Sequence, residues 1–155
     1  MDNYFAIIEI QINDGIPASP PVVFTEDEQT AQGELYAKLG YAYQNHRDYT
    51  AVIILDEKGH NITTSYGMKP IVDNRNDKTS VYSFVKIQGD EENLSADSVD
   101  VRVGDDAQSV IMQEYFRAIQ DVWNEKYGFT ETVVIDTEGK NFKMDVIDFT
   151  NNEKE

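Results

Sequence analysis

Apolar and polar positions along the chain follow two periods, and the alternation between them lays out the elements. Residues 4–12 (YFAIIEIQI) alternate weakly and are rich in β-branched side chains, which predicts a strand, with a short strand at 22–24. Thr25, followed by Glu26, Asp27 and Glu28, marks a helix start, with Thr25 as N-cap and Glu28 at the capping-box position. The helix extends to about Asn45. Residues 50–56 form a strand, and the turn formers Asp-Glu-Lys-Gly lead into another near 61–67. The second half reads the same way: a strand over 81–88, a short strand over 99–103, a helix from about 105 to 126, then strands over 130–136 and 141–149.

The two halves also resemble each other in sequence. VIILDEKGHNI (52–62) lies over TVVIDTEGKNF (132–142) at an offset of 80, matching Asp56 with Asp136, Gly59 with Gly139 and Asn61 with Asn141. At the same offset Ala31, Leu35, Leu39, Ala42 and Tyr43 fall on Ile111, Tyr115, Ile119, Val122 and Trp123. Upstream the offset becomes 77, where FAIIEIQ (5–11) lies over YSFVKIQ (82–88), a drift that loop lengths absorb. The pattern is a duplication. It predicts an α+β fold of two pseudo-symmetric β-β-α-β-β repeats, with helices packed on one face of a mixed or antiparallel sheet. The first repeat covers 1–67, a polar connector 68–80, the second repeat 81–149 and a frayed tail 150–155, all within one compact domain. Units this small are expected to share a sheet or a common core, and a homodimer that extends the sheet is compatible with the pattern.

Composition narrows the function classes. The 155 residues include 29 acids against 13 Lys and Arg, for a formal charge of −16 and a sequence pI of about 4.3. Such a surface opposes direct contact with nucleic acid or an anionic membrane, since phosphate recognition needs a positive face. The absence of cysteine removes disulfides, thiolate metal sites and thiol catalysis. The opening MDNYFAIIEIQ has no positive region and carries an acid in its apolar stretch, unlike a signal peptide, and apolar runs stay far below the ~20 residues of a membrane span. The expectation is a folded, soluble, cytoplasmic protein.

No pattern of catalytic chemistry emerges. The paired D-x-x-G-x-N segments offer oxygen ligands but lack the alternating carboxylates and distal Glu of a calcium loop, and a hairpin turn accounts for every residue in them. His46, at a helix end, and His60, at a turn, have no nucleophile or orienting carboxylate at a recognisable spacing. No catalytic residue, cofactor site or metal site is therefore assigned, and no enzyme is expected. The tyrosines, including Tyr36, Tyr41, Tyr43, Tyr49 and Tyr66, are expected in core or rim packing, with Tyr41 a candidate interface anchor.

The distribution of acids is the most pointed clue. Residues 1–78 hold 12 acids and 6 bases, whereas 79–155 hold 17 and 7, and the segment 90–106 alone holds seven acids and one base. The candidate partner-binding set is Asp90, Glu91, Glu92, Asp97, Asp100, Asp105 and Asp106 in a loop, joined by Glu114, Asp121 and Glu125 on the following helix. Those three helical acids fall within a wedge of about 40°, away from the apolar stripe, so loop and helix would form one negative strip interrupted by Arg102 and Arg117. Carboxylates so arrayed solvate a protein, and they also stand where a basic cleft expects phosphates. In size, charge and lack of catalytic motif the chain resembles the acidic inhibitors of phages and mobile elements, such as anti-CRISPR and anti-restriction proteins, and nuclease immunity proteins. The resemblance rests on no family motif. It implies a non-enzymatic protein that inhibits a basic, nucleic-acid-handling partner, with nucleic-acid mimicry as a candidate mode. The alternatives are an assembly module using its duplicated halves as interfaces, and a small-ligand binder with Asp56 and Asp136 as carboxylates.

Overall fold

The computed structural model describes residues 3–90 and 93–150. The chain runs β1 (Phe5–Asn13), β2 (Ile16–Ala18), β3 (Val23–Thr25), α1 (Glu28–Gln44), β4 (Tyr49–Asp56) and β5 (Ile71–Asp73), then β6 (Val81–Gly89), β7 (Leu94–Val103), α2 (Ala107–Glu125), β8 (Phe129–Ile135) and β9 (Asn141–Asp148). The fold is α+β in two repeats, each an antiparallel sheet with a helix on one face. The first sheet has the order β2-β1-β4-β5, with β3 sharing the β2 side of β1, and the second has the order β7-β6-β8-β9.

Each repeat keeps its own sheet, and the two sheets pack face to face. Ala6, Ile8, Ile10, Ile12, Ala51, Ile53 and Leu55 from the first meet Val81, Val85, Ile87, Val133 and Ile135 from the second. On the outer faces, Ala31, Leu35 and Leu39 of α1 cover Ile7, Val52 and Ile54, while Ile111, Tyr115 and Ala118 of α2 cover Phe84 and Val134. The result is four layers, helix–sheet–sheet–helix. Central strands β4 and β8 are buried on both faces, which is why they read as unbroken apolar runs where β1 alternates.

The register bears out the two offsets. Ile8 lies opposite Ile53 and Val85 opposite Val133, so the strand shifted by 77 and the strand shifted by 80 keep the same pairing. The buried stripe of α1 (Ala31, Leu35, Leu39, Ala42) likewise maps onto that of α2 (Ile111, Tyr115, Val122), with Ile119 partly buried.

Several local readings change. The N-cap of α1 is Asp27, whose carboxylate accepts from the Gln29 amide at 3.2 Å. Thr25 is still extended in β3 and instead accepts from the Asp27 amide at 3.1 Å. No strand forms over 61–67. After one bridge between Leu55 and Asn61, the chain turns into a 3-10 helix, Thr63–Tyr66, and the Thr63 hydroxyl accepts from the Ile54 amide in place of a strand carbonyl. The chain rejoins the edge at Pro70, whose carbonyl accepts from Val52, and β5 follows inside the expected connector. The strand expected over 99–103 begins at Leu94, because a bulge at Lys86/Ile87 breaks its alternation. The tail over 151–155 lies outside the described residues.

Candidate partner-binding surface

The acidic segment is a strand with a helix beside it rather than a loop. Strand β7 ends in a turn carrying Asp105 and Asp106, both exposed, and α2 then runs back alongside it. Asp106 is the N-cap residue of α2, though its side chain makes no capping bond. At the far end, Asp90 holds the β6–β7 hairpin by accepting from the Asn93 amide at 2.9 Å, and it lines the same 290 Å³ pocket as Glu125 from the last turn of α2. Midway, Asp100 of β7 and Glu114 of α2 flank Arg102, whose guanidinium lies 3.6 Å from Asp100 and 3.7 Å from Glu114. Asp121 is exposed on α2. A helix of this length carries the row over about 28 Å. Glu91 and Glu92 lie outside the described residues. Asp97 is placed on β7, with no description of its side chain.

The row is not uniformly charged. Burial first, and then the adjacent Asp100 carboxylate, push Glu114 up to about 7, with Arg102 acting against them. Near neutral pH, Glu114 therefore holds a proton part of the time, and Arg102 offsets charge at the same point. The negative potential is strongest at the two ends.

The opposite flank of α2 is apolar. Phe116 and Trp123 are exposed there, and Trp123 packs edge-on against Phe149 at 5.2 Å. The tyrosines divide more sharply than expected: Tyr4, Tyr49 and Tyr115 are buried, while Tyr36, Tyr41, Tyr43 and Tyr127 stand in solvent, Tyr41 beneath the Arg47 guanidinium.

The paired D-x-x-G-x-N segments are turns, as their spacing predicts, and they have a second role. Asp56 accepts from the Lys58 and His60 amides, Asp136 accepts from Glu138 and Lys140, and Gly59 and Gly139 take positive φ. Each turn then reaches the other repeat. The Asn61 side chain donates to the Gly139 carbonyl at 2.8 Å, and the Asn141 side chain donates to the Gly59 carbonyl at 2.9 Å. Both aspartates are committed to their turns, and among the described residues no three His, Asp or Glu side chains converge as a metal site. No described helix is long and apolar enough to cross a membrane.

One residue escaped the sequence reading. Glu131, on β8, points between the sheets with no exposed surface and, among the described residues, no hydrogen-bond partner for either oxygen. Its signal was the period-2 series Phe129, Glu131, Val133, Ile135, which places an acid on the inner face. Comparison with protein-family models, curated proteins and solved structures returned no match.

Proposed function

We propose that this is a non-enzymatic acidic protein that inhibits a basic, nucleic-acid-handling partner by presenting the β7–α2 face where the partner expects phosphates. One observation carries the reading: the antiparallel course of β7 and α2 gathers acids distant in sequence, Asp90 with Glu125 and Asp100 with Glu114, into a single row. Row geometry favours a partner with an elongated positive groove, and long-range attraction would steer the encounter.

The test is capture from nuclease-treated lysate followed by a salt gradient. A basic nucleic-acid enzyme released at moderate salt and displaced by DNA is the expected result. Against that purified partner, the double reversal Asp121→Lys with Glu125→Lys should weaken binding at least tenfold, about 1.4 kcal/mol. Reversal of the exposed Glu26, on the other repeat, and Asp77, in the connector, should change it little. Salt-insensitive binding, or equal losses from both pairs, would reject the proposal.

A further inference from the structure

Four sheet edges could in principle take another strand, and three are blunted. On the first sheet β2 and β3 are three residues each, with Pro17 in β2, and β5 is also three residues. On the second sheet β7 carries the Asp100 and Arg102 charges and pairs across a bulge. Short strands, proline, charge and bulges are the usual devices that keep an edge from pairing. β9 is different: eight residues long and, among the described residues, paired on one side only.

Its main-chain directions follow from one bond. The Phe149 amide donates to the Gly128 carbonyl at 2.8 Å, so with period 2 Ile147, Asp145 and Lys143 also turn their main-chain groups toward β8. Met144, Val146 and Asp148 therefore turn theirs outward. Helix α2 packs on β6, β7 and β8, so among the described residues the outer face of β9 is uncovered, and Phe142, beside Tyr82 on that face, remains 42% exposed.

We propose that β9 pairs antiparallel with β9 of a second copy of this chain, about a twofold axis at Met144, joining the two four-stranded sheets into one. Charge complementarity selects both the occupant and the register. With Met144 opposite the partner's Met144, Lys143 faces the partner's Asp145 and Asp145 faces the partner's Lys143, two opposite-charge pairs on the outer face. Sliding one step either way sets Asp145 against the partner's Asp145 or Lys143 against the partner's Lys143, which is destabilising. An axis at Val146 leaves the charges facing apolar side chains. Among the described residues, neither Lys143 nor the Asp145 carboxylate has an ion-pair partner within the chain. Residues 140–148 also balance Lys140 and Lys143 against Asp145 and Asp148, a neutral stretch on a chain of charge −16, so two copies can approach here without the repulsion found elsewhere. The inference is independent of the proposed inhibitory function.

Sedimentation of the full chain over a concentration series tests it. A monomer–dimer equilibrium is expected, weakened at least about tenfold by Lys143→Glu or by Asp145→Lys and restored by the combined swap Lys143→Asp with Asp145→Lys. Amide exchange at Met144 and Val146 should slow as concentration rises, a reading that needs no variant. A chain monomeric throughout, a dimer indifferent to single reversals, a swap that fails to restore it, or exchange at Met144 and Val146 independent of concentration would each overturn the proposal.

Discussion

Glu131 concentrates the chemistry of the fold in one side chain. Burial first, then the Asp56 carboxylate, push its pKa up to about 8, with Glu57 adding to the rise. The Gly59 amide and the Tyr4 hydroxyl act in the other direction without closing a bond of good geometry, and Tyr4 Oη is itself unpartnered. Because the folded pKa is raised above the usual carboxylate value, the fold binds a proton that the unfolded chain releases. That contribution is fully present below about pH 4.5 and is lost as pH rises through about 8. The expected outcome is a melting temperature that falls between about pH 5 and pH 8 and levels off above it, a loss worth a few kcal/mol. Glu131→Gln should flatten this dependence and be more stable than the parent at the alkaline end. A parent whose melting is flat over that interval would place the charge elsewhere.

At the scale of elements, the two turns explain why both copies hold Asp, Gly and Asn. Asp and Gly make each turn, and Asn reaches across to the opposite turn's glycine carbonyl, so one repeat completes the other. Gly139 has a further reason: a Cβ there would meet Pro70 Cγ at 2.8 Å. Asn61→Ala and Asn141→Ala should each destabilise by about 1–2 kcal/mol, since each leaves a partly buried carbonyl unpaired. A double-mutant cycle by urea denaturation should show coupling between them, because both bonds close the same contact between repeats. Strict additivity would mean that the two bonds act separately. The pairing of like turns was legible in the sequence as repetition. Its purpose was not, because a side chain reaching a carbonyl about eighty residues away leaves no local pattern.

At the scale of the whole molecule, part of the excess of acids is arranged along one flank of α2, while the exposed Phe116 and Trp123 occupy the other. Glu114 makes the row sensitive to pH near neutrality, since its pKa is raised to about 7 by burial and by Asp100. Loss of that proton adds a negative charge to the row. Affinity for a basic partner should therefore tighten as pH rises from about 6 to about 8, provided the partner's own titration is measured alongside. Glu114→Gln should remove that pH dependence, as read by calorimetry at several pH values, while an unchanged profile would exclude Glu114 as its source.

The sequence alone determined the elements and their duplication, because helix and strand periods, turn residues and fixed offsets are local properties of the chain. Its failures were local competitions that tertiary contacts decided. Asp27 displaced Thr25 as cap because β3 holds Thr25 extended against β1. The strand expected at 61–67 gave way because Thr63 satisfies the edge of β4 with its side chain. The bulge in β6–β7 hid half of a strand from a period-2 reading. The acids of 90–106 were visible as composition, but only the antiparallel return of α2 set Glu125 beside Asp90 and Glu114 beside Asp100. Whether the repeats shared one sheet or stacked two was likewise beyond any periodicity. Strands buried on both faces look the same in either arrangement, and the choice belongs to the packing of the inner faces against each other.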